Sequence, residues 1–305
     1  MKLIQLRAFC SVVDKGSFRS AARALDAAQS TLTESIQSLE RELGVTLLVR
    51  SNQGISLTLA GKVFLTRARS IVLDCDRAVQ DVRQCNGMPE GQIALGVTAE
   101  PLTACLMPVF SSFTRRFPNV KLHVAGGQTK VLIEMTRAGR LDFVMGPLSP
   151  NVCDIDLHIE RLYRSKASVV ARKGHPLAEA RSLSDLADCQ WISVRPGGIA
   201  GSAENHLIDL FKAQGLAPPK IVVTTESLLE MLHIIAETDY LAIEPSMLPG
   251  MKLFSSSLMR ISVREPLESC EVCLISRRVA PLTQLTQELT SMLISYSRLR
   301  HRAKV

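Results

Sequence analysis

Leu3, Leu6, Phe9, Cys10 and Val13 recur at helical spacing, and Lys15-Gly16 stop the run. Residues 17–44 then read as two short helices meeting at a tight turn. Ser17 can cap the first, whose inner face is Phe18, Ala21, Ala22 and Leu25, and Asp26-Ala27-Ala28 makes the turn. The second helix buries Leu32, Ile36, Leu39 and Leu43, spaced 4, 3 and 4, and Gly44 ends it. At about 100° per residue, Ser30, Glu34, Gln37 and Arg41 point the other way, flanked by Gln29 and Thr33. Such a face suits hydrogen bonding to base edges in a major groove, or is the ordinary polar surface of a small bundle.

Residues 45–57 read as a hairpin, with Ser51-Asn52-Gln53-Gly54 at its tip between Leu47-Leu48-Val49 and Ile55-Ser56-Leu57. Three helices and a hairpin make a winged helix-turn-helix, and Arg50 at the wing is a cation for a phosphate or the adjacent minor groove. Thr58 caps a long helix running to about Cys85. Its Leu65, Ala68, Val72, Cys75, Val79 and Val82 form a 3-4 seam, with Arg67, Arg69, Asp74, Asp76, Arg77, Asp81 and Arg83 on the other faces. That seam predicts dimerisation; the alternative is a helix packed on its own domain. Residues 86–91 form the linker.

From Gln92 strands alternate with helices, which predicts parallel sheets. Strands are expected at 93–97, 120–124, 141–145, 168–171, 191–194, 221–225 and 241–243, and helices at 102–117, 129–138, 203–214 and 227–237. Residues 270–276 and a last helix, 282–299, return to the first sheet. Two lobes joined by two crossings, with a cleft between them, are the expected result.

Charge sharpens this picture. The 305-residue chain carries a formal +7, and residues 1–70 hold ten Lys/Arg against five Asp/Glu, so the surplus gathers where the groove-reading pair lies. The 298–304 segment is a second basic cluster, read as a solvated tail. The start reads as no signal peptide, because Arg7 and Asp14 interrupt the apolar residues and no small-residue cleavage site follows. No run of eighteen apolar residues exists. The eight cysteines are scattered in apolar contexts, as in a reducing cytosol. Cys270-Glu-Val-Cys273 lies in a strand-like run whose alternation puts the two sulfurs on opposite faces, so no metal site is expected.

In this order, helical pair, wing, long helix and two-lobed α/β region, the chain resembles the LysR-type transcriptional regulators. The resemblance covers essentially all 305 residues. It is densest over 3–66, at Leu6-Arg7-Ala8-Phe9, Gly16-Ser17-Phe18, Ala21-Ala22-Arg23-Ala24-Leu25, Gln29, Leu32-Thr33, Ile36, Leu39-Glu40, Leu43-Gly44, Leu47-Leu48-Val49-Arg50 and Leu57-Thr58-Leu59-Ala60-Gly61. Leu106-Met107-Pro108, Phe117-Pro118-Asn119-Val120, Gly139-Arg140-Leu141-Asp142-Phe143 and Gly174-His175-Pro176-Leu177 match the effector region.

What the resemblance implies is an α/β chain in three parts. They are a winged helix-turn-helix DNA-binding domain (1–58), a long linker and dimerisation helix (59–87), and a two-lobed effector-binding domain like the periplasmic binding proteins (91–305). Lobe I is expected at about 91–161 and 268–305, lobe II at about 162–267. Its members are homodimers or tetramers that bind a dyad operator and respond to a small co-inducer. Four departures stand out. Ser30 replaces a common Pro, and Glu34 stands where a basic residue is usual. A carboxylate there cannot bind phosphate but can accept from cytosine N4. Gln53 lies near a usual second wing Arg, and Thr238-Asp239-Tyr240 replaces a Gly-x-Gly loop.

Base reading is therefore expected of Gln29, Ser30, Thr33, Glu34 and Gln37, and phosphate contact of Arg50 with Ser17 or Arg23. Ligands of parallel sheets bind where strands end and helices begin. Four loops meet that description: Thr98-Ala99-Glu100-Pro101, Gly126-Gly127-Gln128-Thr129, residues 193–198 with Ser193, Arg195 and Gly198, and Thr225-Glu226-Ser227. By resemblance, Thr98, Gln128 and Thr129 fall where relatives hold effectors. Arg195 is the candidate cation for a carboxylate or sulfonate. Glu100 repels an anion unless it pairs with Arg195. The histidines form no H-x-x-x-H or H-E-x-x-H spacing, and no G-x-S-x-G or Walker loop appears, so neither an enzyme nor a cofactor is expected. The expectation is a cytoplasmic, nucleoid-associated regulator whose partners are operator DNA, a small acidic effector, its own copies as dimer or tetramer, and RNA polymerase, with no membrane. The alternative is a two-lobed small-molecule-binding protein with no direct DNA role.

Overall fold

The computed structural model describes residues 1–51, 54–85, 90–148, 155–194, 203–267 and 269–302. Leu3–Lys15 (α1), Phe18–Ala24 (α2) and Gln29–Leu43 (α3) enclose one apolar core, in which Leu6, Phe9, Val12, Ala21, Leu32, Ile36 and Leu39 are buried. The Ser17 hydroxyl accepts from the Ser20 N–H at 3.1 Å and so caps α2. Two expected inner positions are not buried: Leu25 is 39% and Leu43 37% exposed. Leu25 is the residue after α2, with φ −102° and ψ 4°, so its side chain leaves the helix's inner face. Leu43 is the last residue of α3, and Gly44 turns the chain away before anything covers it.

Leu48–Ser51 (β1) and Gly54–Leu57 (β2) pair antiparallel, with Leu48 opposite Leu57. Glu40 of α3 ties this wing down: its Oε1 accepts from the Leu47 and Leu48 N–H groups at 2.6 and 3.1 Å. Leu59–Cys85 (α4) follows, with Thr58 Oγ1 accepting from the Gly61 N–H at 2.9 Å. A Cβ on Gly61 would lie 2.1 Å from the Leu47 carbonyl oxygen, so only glycine lets α4 start this close to the wing.

The seam of α4 divides. Leu65 and Ala68 are buried in the N-terminal core and Val72 packs against it, so this half is used by the helix's own domain. Val79 and Val82 stay exposed, together with Leu59, Val63 and Ile71. Near its far end α4 is clasped by the next domain. Arg77 pairs with Asp142, both nearly fully buried, and Asp142 Oδ2 also accepts from the Ala94 N–H at 2.8 Å. Arg277 adds a hydrogen bond to Ser70 Oγ at 3.2 Å.

Lobe I is built on Gly91–Val97 (β3), Val120–Gly126 (β4), Phe143–Pro147 (β5), Ser269–Arg277 (β11) and the first part of Leu157–Arg172 (β6). The helix Ala99–Pro101 (α5) runs through a π-turn into Met107–Arg116 (α6). With Gln284–Arg302 (α10) these cover one sheet face, and Thr129–Arg137 (α7) covers the other. Lobe II holds the rest of β6 with Gln190–Val194 (β7), Lys220–Thr225 (β8), Ala242–Pro245 (β9) and Leu258–Ile261 (β10). Ala203–Ala213 (α8) and Leu228–Glu237 (α9) lie on its two faces, and Trp191 meets Phe211 edge-on at 5.4 Å.

The sheets are mixed rather than parallel throughout. β3 runs parallel to β4 and β5, and β7 to β8, but β6, β9, β10 and β11 pair antiparallel. The cause is β6, which serves both lobes: Lys166 pairs with Ser269 of β11, and the next residue, Ala167, pairs with Pro245 of β9. On β11, Val272 and Leu274 join the core under α10 while Cys273 and Ile275 join that under α7. Cys270, two residues before Val272, therefore shares its face and not that of Cys273.

Candidate nucleic-acid interface and inter-lobe cleft

Burial of Leu32, Ile36 and Leu39 turns the opposite side of α3 outward: Gln29, Ser30, Glu34, Gln37 and Arg41 are exposed and Thr33 is half-buried. Ala28 precedes α3 without a side-chain cap, leaving the first backbone N–H groups open to an anion. Arg23 is exposed on α2 beside this face. Ser17 is half-buried, and its hydroxyl is engaged by Ser20. The backbone of Arg50 lies in β1 opposite Ile55, but its side chain lies outside the described residues, as does Gln53. Glu40, which the sequence offers only as a family match, sets where the wing stands relative to α3. A carboxylate beside Leu39 on the inner edge of the helix was the available signal.

In lobe I the expected threonines converge. Thr98 follows β3, its N–H donating to the Met145 carbonyl at 3.0 Å. A Cβ on Gly146 would come within 2.4 Å of Thr129 Oγ1 and 2.9 Å of Thr98 Cγ2, so glycine there allows both side chains to close over bare backbone. Thr129 Oγ1 is buried without a hydrogen-bond partner, and Gln128 precedes α7 with no side-chain cap. Glu100 has partners in its own lobe. It bonds to Ser165 and faces Arg300 of α10, and burial raises its pKa above the ordinary carboxylate range. Glu100 is thus held within lobe I beside Arg300, while Arg195, its expected partner, lies outside the described residues.

From lobe II, Ser193 is buried on β7 opposite Thr224, and Ser227 caps α9 by accepting from the Glu230 N–H at 3.3 Å. Arg195 and Gly198 lie outside the described residues. The loop at Thr238-Asp239-Tyr240 is pinned: Arg172 pairs with Asp239 at 2.7 Å, and His175 Nε2 lies 3.2 Å from the Asp239 carbonyl. With Nδ1 accepting from the Leu177 N–H at 3.1 Å, His175 donates through Nε2 and holds a turn. Two further polar residues were not expected, Ser168 on β6 and Glu244 on β9. Burial pushes the Glu244 carboxyl up to about 8.

Residues 3–62 match the family described as bacterial regulatory helix-turn-helix protein, lysR family, and residues 86–298 match the LysR substrate binding domain. The chain belongs to the LysR family. It is a DNA-binding transcriptional regulator with an effector-binding domain, not an enzyme. The regulator GbpR of Azospirillum brasilense is 28% identical over 242 residues, 78% of this chain and 70% of that protein. The regulator TdcA of Escherichia coli strain K12 is 26% identical over 304 residues, 99% of this chain and 96% of its own. A crystal structure of full-length CbnR complexed with its target DNA superposes with a TM-score of 0.68 at 21% identity, covering 97% of this chain and 100% of that one. LysR regulators bind operator DNA and small effectors and assemble into oligomers. Among the described residues, no helix is long and apolar enough to cross a membrane.

Proposed function

We propose that α3 reads the operator through Gln29, Ser30, Thr33, Glu34 and Gln37, while Ser17, Arg23 and Arg50 hold the phosphates beside it. The observation carrying this reading is the exposed polar face of α3 set over a closed core and next to the wing. Short amides and hydroxyls on such a face match base edges, and Glu34 adds an acceptor for cytosine N4. The exposed Val79 and Val82 of α4, with Leu59, Val63 and Ile71, support pairing of two copies along this helix. Two such dimers make a tetramer.

The effector is a small organic molecule with an acidic group, held between lobe I at Thr98, Gln128 and Thr129 and lobe II at Ser193, Arg195, Gly198 and Ser227. The unpartnered Thr129 hydroxyl and the open start of α7 support an anionic end in lobe I. Contact with both lobes favours one lobe arrangement, and the Arg77–Asp142 clasp passes it to α4. The protein works in the cytoplasm on the nucleoid, where RNA polymerase is within reach.

A gel-shift salt series on the chain's own promoter region tests the DNA reading. Affinity is expected to fall roughly 10³-fold between about 50 and 200 mM salt if about six phosphates are neutralised. A flat response contradicts it.

A further inference from the structure

Lobe II holds, at its border with lobe I, an acceptor pair that the acidic-effector reading does not use. β6 and β9 run antiparallel with Ser168 directly opposite Glu244, which puts both side chains on one face with Cβ atoms about 5 Å apart. Two residues along each strand, the same face carries Val170 and Ala242, packed with Ile192, Met231 and Leu232 under α9. Ser168 and Glu244 are thus a polar step at the end of an apolar wall. That end borders lobe I. Pro245 pairs with Ala167, the Ser246 N–H donates to the Lys166 carbonyl at 2.8 Å, and Met247 already packs on the lobe I core.

The two groups differ in how far water reaches them. Ser168 is 8% exposed and its Oγ has no partner. Among the described residues Glu244 makes no hydrogen bond or ion pair, although it retains some contact with water. A buried hydroxyl without a partner, beside a half-buried carboxyl at the end of an apolar wall, destabilises the empty protein, and the remedy is a donor-rich cation. An ammonium group supplies three N–H donors and the charge that a carboxylate in this setting lacks.

We propose that Glu244 and Ser168 bind a primary ammonium group. Taken with the acidic-effector reading, on which this inference rests, the ligand is a zwitterion of the amino-acid class. Its carboxylate lies toward Thr98 and Thr129 and its ammonium against β6 and β9.

The test is thermal shift and titration calorimetry on the full-length chain, using millimolar L-amino acids, each paired with its 2-hydroxy acid. At least one amino acid should raise the melting temperature and bind tenfold or more tightly than its hydroxy counterpart. Glu244→Gln should lose at least tenfold for the amino acid and little for the hydroxy acid, whereas Thr129→Val should weaken both. Without ligand, Glu244→Leu should melt at or above wild type. The inference is overturned if hydroxy acids bind as tightly as amino acids, if Glu244→Gln binds unchanged, or if no amino acid shifts the melt. It also falls if ligand-free Glu244→Leu melts far below wild type, which would reveal an internal partner for the carboxylate. Binding by hydroxy acids alone leaves the cleft reading standing; binding by neither class removes both, with DNA affinity measured separately as the control.

Discussion

On α3, Gln29, Ser30, Glu34 and Gln37 stand in water above a core closed by Leu32, Ile36 and Leu39; in the lobes, the Thr129 and Ser168 hydroxyls are withdrawn from water without a partner among the described residues, and Glu244, opposite Ser168, is half-buried. The first arrangement is complete without DNA. Its exposed groups contribute little to folding, so they are free to be chosen for sequence preference. The second is incomplete without a ligand, because each orphaned group penalises the empty state and a matching ligand removes that penalty. On the proposed reading, one region is therefore a preformed reader and the other a sensor whose stability reports occupancy. Helix α4 belongs to both, its first half packed in the N-terminal core and its later part held by Asp142.

The link is the place to break the contrast most severely. Asp142→Ala leaves the Arg77 guanidinium buried without its main carboxylate and removes the acceptor of the Ala94 N–H. A loss of about 3–5 kcal/mol is expected in denaturant unfolding of the effector region. Non-specific DNA affinity should persist, because the N-terminal core is untouched. Joint loss of both would show that the two regions do not behave separately.

Acidity distinguishes them more gently. Glu244 titrates near 4.5 in the unfolded chain and about 8 in the folded one. The folded state therefore holds the proton more tightly. The stabilisation is complete below about pH 4.5 and is lost as pH rises through about 8, with a slope of at most about 1.4 kcal/mol per pH unit. Burial raises Glu100 as well and gives the same sign. Melting temperatures measured from pH 5 to pH 9 should fall, and Glu244→Gln should flatten the curve; an unchanged slope would mean that the carboxyl is not buried as described. The smallest effect belongs to the reader's scaffold. Ser17→Ala removes the α2 cap and should cost about 1 kcal/mol in denaturant titration. A change under about 0.3 kcal/mol would show that the cap does not hold the helix.

Much of the reader was legible because its information is local. Helical spacing placed α1, α2 and α3, Gly44 marked the end of α3, and the outward residues followed from the inward ones. Leu25 and Leu43 misled at helix ends, where spacing continues but the covering layer does not. The cleft was less legible. Residues 157–167 of β6 carry His158, Glu160, Arg161, Arg164 and Lys166, and the adjacent Glu160 and Arg161 break the alternation that marks a strand, where the pairing with β11 also shifts register. β10 has only four residues. Glu244 carries no signal alone, since its meaning comes from Ser168, which a different strand brings opposite it. The division of the α4 seam was hidden for the same reason: the spacing is continuous, but the partner of each half is set by the tertiary fold.

On the proposed reading, the outer face of α3 chooses the bases. Selection of bound half-sites from a randomised DNA pool, with wild type, Gln37→Ala and Glu34→Ala at one salt concentration, measures it directly. Each variant should relax preference at one or two base pairs, by roughly 1–3 kcal/mol for a bidentate contact, with the other positions unchanged. Identical profiles for all three proteins, or a uniform loss at every position, would contradict it.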